Sequence, residues 1–242
     1  MKVHLTALFV WLFLLGTADA QNFFGLLNDA HHFASAGIHA YPHLNASIDY
    51  LYASGHREGV LQRFGMITQV NFPLFSQKGF DFDLRVGAGA LIGISGQFKT
   101  LTGLTWSLSR TADLNGRYFH SGFKVDLLPG YYGGKWAIAP HLSVNYQPLV
   151  HIKHGDYPKR AFQDLYISKD GPFTSPQDGW YRQSNLTLQT GIGIAYFRPR
   201  WNVNLIAGFQ SQPNSIGLST FADIGMMPFY SGLNFGYAIL AE

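Results

Sequence analysis

Successive residues of this chain alternate between apolar and small or polar side chains over unusually long stretches. Leu188, Ile192 and Ile194 share one phase of such a stretch, and Gln189 and Gly191 share the other. Side chains alternate between two faces in a β-strand, whereas a helix repeats about every 3.6 residues. The same alternation runs through residues 34–52, 84–94, 142–150 and 201–209. It predicts an all-β fold.

Two properties of the alternation favour a transmembrane barrel over a soluble β-sandwich. The predicted strands are much longer than the roughly 5 or 6 residues usual in soluble proteins. The apolar phase almost lacks Lys and Glu, and mid-strand charges such as Arg85, Lys124 and Asp126 fall on the other phase. Charged residues are only 13% of the chain, about half the usual share of roughly 25%. Because an apolar face suits lipid and a polar face suits a lumen, we expect an antiparallel up-and-down transmembrane β-barrel.

Composition excludes several other classes of protein. The chain has no cysteine, which excludes disulfide scaffolds, Cys-ligated zinc and thiol nucleophiles. Its formal net charge is +3, and its 17 basic residues are spread along the chain rather than clustered. We therefore expect no nucleic-acid partner.

The first 20 residues follow the pattern of a secretory signal peptide. A positive start at Lys2 precedes an apolar run from Leu5 to Leu15, and Ala18-Asp19-Ala20 supplies the small-residue cleavage site. The run is too short for a membrane-spanning helix, which needs about 20 apolar residues. We predict a signal peptide over residues 1–20, cleaved after Ala20, and a barrel domain over residues 21–242.

Turn signals predict the number of strands. Short Gly- or Pro-containing connections at residues 76–79, 130–134 and 198–200, and a long polar connection at 153–179, fit eight strands with both termini at the periplasmic end. Residues 104–108 and 218–224 also resemble strands, and counting both as membrane strands gives ten, the alternative. The eight predicted strands are 34–53, 60–75, 80–95, 117–129, 135–152, 180–197, 201–211 and 230–240.

With this architecture, the whole mature chain resembles the small outer-membrane β-barrel proteins of Gram-negative bacteria, of the eight-stranded type. The segments 151–154, 171–173 and 178–181 also look like a pattern that recurs in uncharacterised members of that class. The resemblance implies insertion by the barrel-assembly machinery and residence in the outer membrane, in contact with lipopolysaccharide. It implies no particular activity.

Charged residues on the inward phase form the first candidate site. A small barrel has room in its lumen only for side chains or one small ligand, and charges buried there must pair. We expect a lumen-filling charge network, with a proton- or ion-binding site as the alternative. Its predicted members are Asp49, Arg63, Asp83, Arg85, Lys124 and Asp126.

Histidine and serine offer little for metal or catalytic chemistry. The alternation places His39, His43, His141 and His151 on one face, but no metal-binding motif fixes them. The neighbours His120 and Ser121 would point to opposite faces of a strand, and no G-x-S-x-G or S-x-x-K motif is present. We expect no metal site, no cofactor and no catalytic residues.

The outer loops are the second candidate site. The connection 153–179 combines basic and aromatic residues, which suit contact with anionic lipopolysaccharide or surface glycans; a packed loop without a ligand is the alternative. We expect a structural or interaction role through these loops. A lipid- or lipopolysaccharide-modifying enzyme and a small-solute or ion pathway remain the other hypotheses. The predicted contact residues are Lys153, Tyr157, Lys159, Arg160, Tyr166 and Trp180.

Overall fold

The computed structural model describes residues 19–40, 44–55, 59–74, 81–112, 116–156, 178–211 and 229–240. Ten antiparallel strands close into a barrel, each paired with its neighbours in sequence, and the last pairs with the first. A 3₁₀ helix, Asp19–Leu27, precedes them. The strands are β1 His32–Ala40, β2 Leu44–Ser54, β3 Leu61–Pro73, β4 Phe82–Ser95, β5 Phe98–Ala112, β6 Gly116–Gly133, β7 Trp136–His154, β8 Gly179–Phe197, β9 Trp201–Ser211 and β10 Phe229–Leu240.

The alternation of the sequence becomes the two faces of this barrel. On β2, Ser47, Asp49 and Leu51 are buried inside, whereas Ile48 and Tyr50 are exposed on the outside. Most of the described strands repeat this division over their middle, so the outer surface carries many exposed apolar side chains. A closed barrel with such an exterior is consistent with a membrane barrel. Within the described part of the chain, no helix is long and apolar enough to cross a membrane.

The prediction of eight strands is wrong; the barrel has ten. The predicted strand 34–53 is two strands, β1 and β2, joined by residues 41–43, which include Pro42. Proline has no N–H to donate to a strand ladder, so it is disfavoured inside a strand. The second additional strand is β5, which contains the strand-like segment 104–108. Residues 218–224, the other strand-like segment, lie outside the described residues.

The two ends of the barrel differ in their connections. At the end that carries both termini, the strands are joined by residues 55–60, 96–97, 134–135 and 198–200. We call this the terminus end. The long connections 155–178 and 212–228 join strands at the opposite end, the loop end, as do residues 74–81. The eight-strand count therefore places the connection 76–79 at the wrong end, because the break between β1 and β2 adds a strand before it.

The predicted signal peptide stays a prediction. Residues 1–18 lie outside the described residues, and Asp19 and Ala20 begin the 3₁₀ helix.

Candidate functional site: the filled lumen

Inward-facing side chains change from apolar to polar with distance from the terminus end. On β2, Ala53 and Leu51 lie near the terminus end, and Asp49 follows them. On β6, Leu128 is followed in the same direction by Asp126 and Lys124. The lumen therefore has two layers, an apolar one at the terminus end and a polar one deeper inside.

The apolar layer is built around the segment that precedes β1. We call residues 23–30 the plug. Phe23, Phe24 and Leu26 of the plug are fully buried and join one hydrophobic cluster with inward residues of the strands, such as Leu101 and Ile206. The plug thus occupies the lumen at the terminus end.

Three neighbouring glycines form the seat of the plug. Gly65 of β3 pairs with Gly89 of β4, which pairs in turn with Gly103 of β5, so the three lie side by side across the wall. A Cβ at Gly89 or Gly103 would overlap the ring of Phe23. A Cβ at Gly65 would lie 2.7 Å from a methyl carbon of Leu26. We call these three residues the glycine floor, because their missing side chains make the space that the plug fills.

A buried hydrogen bond also fixes the plug to the barrel wall. The Arg63 guanidinium donates a hydrogen bond of 2.8 Å to the carbonyl oxygen of Ala30, at the end of the plug. Just after it, the ring of Phe33 on β1 lies over Gly236 of β10, where a Cβ would overlap that ring. The plug is therefore held by a buried charge-assisted hydrogen bond as well as by packing.

The polar layer contains a chain of buried ionisable groups. Lys124 Nζ lies 3.3 Å from Asp126 Oδ1, and the same oxygen lies 3.0 Å from His141 Nε2. On the other side of the imidazole, Nδ1 lies 2.7 Å from the Tyr230 hydroxyl. Because His141 and Asp126 are 0% exposed, these groups depend on each other for hydrogen bonds that water would otherwise supply. We call the chain Lys124–Asp126–His141–Tyr230 the β6–β10 relay.

A second set of glycines lets Tyr230 reach His141 across two strands. His141 of β7 pairs with Gly191 of β8, Gly191 pairs with Gly208 of β9, and Gly208 pairs with Tyr230 of β10. The Tyr230 hydroxyl would lie 2.6 Å from a Cβ at Gly191. The tyrosine side chain thus lies along the inner wall, over positions that have no side chain of their own.

Two other groups of hydrogen bonds involve the remaining predicted charges. Arg85 Nε donates to Asp83 at 2.6 Å, and Asn71 donates to the same carboxylate oxygen at 3.4 Å. Asp49 accepts from the Ser35 hydroxyl at 3.0 Å and from the Asn234 amide at 3.3 Å.

The structure places all six predicted network residues in the lumen. Three are cations and three are carboxylates, so their formal charges cancel. They take part in different groups: two in the β6–β10 relay, two in the Asp83–Arg85 pair, one with Ser35 and Asn234, and one with the plug. The six are Asp49, Arg63, Asp83, Arg85, Lys124 and Asp126.

Only two of the predicted loop-contact residues fall in the described chain. Lys153 is near the end of β7 and Trp180 is near the start of β8, and both are exposed. Tyr157, Lys159, Arg160 and Tyr166 lie outside the described residues.

Sequence reasoning placed His151 on the wrong face. The pairing of β7 shifts register between Gln147 and Leu149, which reverses the phase of the strand beyond that point. Val150 is buried, whereas His151 packs edge-on against Trp180 on the exterior, with ring centroids 5.1 Å apart. His39 and His141 do face inward, and His43 lies outside the described residues. Among the described residues, no three His, Asp or Glu side chains form a group suited to a metal ion.

Sequence reasoning also missed the plug and the roles of His141 and Tyr230. The apolar run of Phe23, Phe24, Leu26 and Leu27 lies between the predicted signal peptide and the first strand. That position and the many inward glycines were the signals available. In the structure, the apolar run forms the plug, and the inward glycines leave the space that it occupies.

An open cavity of about 670 Å³ lies at the terminus end, beside the plug. Its lining includes the basic residues Lys99, Lys135 and Arg198, together with Asn28 and Asp29 of the plug.

No model of a known protein family matches the chain, and no curated protein matches it. The architecture itself is established as a closed, ten-stranded antiparallel β-barrel with an exposed apolar exterior.

Proposed function

We propose that this chain is an outer-membrane β-barrel of a Gram-negative bacterium that passes no solute through its lumen and acts through its loop end. The observation that carries the proposal is the seating of the plug, with Phe23 on the glycine floor and Phe24 and Leu26 buried beside it. A lumen that holds a backbone segment and its aromatic side chains has no room for a hydrated solute.

The exterior supports the membrane part of the proposal. Mid-strand residues on the outside include Val144 and Ile192, of which 44% and 56% of the surface is exposed. In water these apolar side chains would stay exposed to solvent, whereas in a bilayer they contact acyl chains. Aromatic contacts such as Trp136 with Tyr196 lie near the terminus end, where an interfacial girdle is expected.

The connections support the orientation. The long connections 155–178 and 212–228 share the loop end, and outer-membrane barrels carry short periplasmic turns and longer external loops. The plug then closes the periplasmic mouth. Because the lumen is occupied, we infer that the barrel acts through contacts made by its external loops. Anionic lipopolysaccharide is the expected partner of these loops.

Planar-bilayer conductance tests the proposal. Wild-type protein, with insertion verified by slower migration on a gel after boiling than before, is expected to give no discrete channel openings at neutral pH. Openings at the size of a hydrated ion or larger would overturn the closed-lumen proposal. A current carried by protons alone would instead favour a pathway along the β6–β10 relay, which is the second candidate function because that relay is a continuous buried chain of exchangeable protons.

A further inference from the structure

Charged side chains on the described strands divide unequally between the two faces. The strand carboxylates Asp49, Asp83 and Asp126 all face the lumen. Outside, the described strands carry charge only as cations, and these cluster on four neighbouring strands near the loop end. The cations are Arg110 on β5, Arg117 on β6, Lys153 on β7 and Arg182 on β8.

The strand register places these cations on one small area. Arg110 pairs with Phe119, Phe119 with His151, and His151 with Trp180, which forms a continuous outward row from β5 to β8. Arg117 and Lys153 pair with each other one row nearer the loop end. Arg182 pairs with Leu149 one row nearer the middle of the barrel. With strands about 4.8 Å apart and alternate residues about 7 Å apart, the four cations fall within an area of about 14 by 14 Å.

Two of these cations oppose each other directly. Like charges at directly paired positions destabilise a sheet, and neither Arg117 nor Lys153 has an ion pair with a described carboxylate. The described acid Asp178, beside the end of β7, accepts hydrogen bonds from the backbone N–H and the ring of His154 through its Oδ1 atom. An anion between Arg117 and Lys153 would turn their repulsion into two charge-assisted contacts.

Aromatic and apolar surface surrounds the cations on the side toward the middle of the barrel. The Arg110 guanidinium lies over the Phe119 ring at 5.9 Å, and the Arg110 Nε atom is buried without a hydrogen-bond partner. Farther along the same strands, exposed side chains such as Trp106, Phe123 and Val125 are apolar. A ligand that covers this surface therefore has an anionic head toward the loop end and apolar chains toward the middle of the membrane.

We propose that this area, the β5–β8 cation patch, binds the head group of a bis-phosphorylated glycolipid of the outer leaflet, of the lipid A class. The patch consists of Arg110, Arg117, Lys153 and Arg182, with the aromatic residues Phe119 and Trp180 between them. Four cations spread over three rows match two separated phosphates, whereas a single phosphate would meet only one row. This inference rests on the proposed function, because it needs the loop end to face the outer leaflet.

Lipid retention by the full-length protein tests the patch. Purified protein in detergent is mixed with bis-phosphorylated lipid A, and the bound lipid is counted by native mass spectrometry. The variant Arg117→Gln/Lys153→Gln is expected to bind lipid A at least about tenfold more weakly than wild type. The matched control Lys135→Gln/Arg198→Gln removes two cations at the terminus end and should bind like wild type.

Lipid identity and stability separate the possible outcomes. Mono-phosphorylated lipid A and phosphatidylglycerol are expected to bind more weakly than the bis-phosphorylated lipid. Without added lipid, Arg117→Gln/Lys153→Gln should unfold at the same or a higher urea concentration than wild type, because a repulsion has been removed. If that variant does not fold, Arg110→Gln/Arg182→Gln is measured in its place.

Equal lipid A binding by the patch variant and the terminus-end control, or equal binding of phosphatidylglycerol and lipid A by wild type, would overturn the proposal. Neither result depends on conductance. A closed barrel that does not bind lipid A therefore refutes only the patch, whereas a conducting barrel that binds it refutes only the closed lumen.

Discussion

The two layers of the lumen solve the same packing problem with different chemistry. At the terminus end, a segment from outside the sheet fills the space, and the wall makes room for it with the glycine floor. Deeper inside, the strands fill the space with their own side chains, which satisfy one another through hydrogen bonds and ion pairs. The apolar layer should therefore be sensitive to added volume, and the polar layer to the loss of a partner.

The largest effect is expected where one group serves two partners. Asp126→Ala leaves both Lys124 and His141 buried without the carboxylate they share, and breaking a buried ion pair typically costs about 3–5 kcal/mol. Urea unfolding in lipid vesicles, followed by the heat-dependent gel shift, measures it. Asp178→Ala at the exposed loop end is the control and should cost far less. A loss below about 1 kcal/mol for Asp126→Ala would mean that the relay is not held together by its carboxylate.

A charge placed on the exterior gives a stability loss with which the losses in the two lumen layers can be compared. Val144→Arg puts a charge on the outer face in mid-strand, which costs about 2–4 kcal/mol near the bilayer midplane. Val144→Leu at the same position should be nearly neutral, and so should Asn145→Ser on the opposite face. The free energy of folding into bilayers distinguishes them. Unchanged folding of Val144→Arg would contradict the assignment of this face to lipid.

Added volume tests the apolar layer. Gly103→Leu forces a side chain into the space of the Phe23 ring, and overpacking of this kind costs about 1–3 kcal/mol. Adding Phe23→Ala to the same chain should restore part of the loss, because it empties the space that the leucine needs. Gly179→Leu is the matched control, since a Cβ there meets nothing within 4 Å. The interpretation fails if the double variant is no more stable than Gly103→Leu alone.

The smallest effect separates a hydrogen bond from packing within the polar layer. Tyr230→Phe keeps the aromatic ring and removes only the hydroxyl that contacts His141, so we expect a loss of about 1 kcal/mol. Tyr237→Phe on the exposed outer face should change the stability by less. Denaturation curves of the three proteins measured side by side provide the comparison. Identical curves for Tyr230→Phe and wild type would show that the hydroxyl contributes nothing to folding.

The face that each strand residue occupies could be predicted from sequence because alternation is local. Val144 and Ile192 lie outside as predicted, and Asp126 and Lys124 lie inside. The prediction held only as far as the pairing stayed regular. The register shift in β7 reverses the phase before His151, and no local pattern announces it.

Strand number and the plug depend on distant contacts and were therefore harder to predict. Nothing in the alternation of residues 34–53 marks the break at 41–43 except Pro42. The glycines of the floor read as small lumen residues in sequence, because Gly65, Gly89 and Gly103 become neighbours only when three strands pair in register. That they leave space for the plug is seen only in the folded barrel, where Phe23 packs on Gly89 and Gly103.

The contact of Phe33 with Gly236 bears on how the barrel closes during folding. His32 on β1 and Leu240 on β10 are paired although nearly the whole chain lies between them, and a pairing of such long sequence separation is intrinsically slow to form. Until it forms, both strands are open edges that could pair with another chain. Phe33 lies just beyond the plug and over the opposite strand of this seam. A plug that is seated early would therefore hold one edge next to the other, shortening the time in which the nascent barrel is exposed to aggregation.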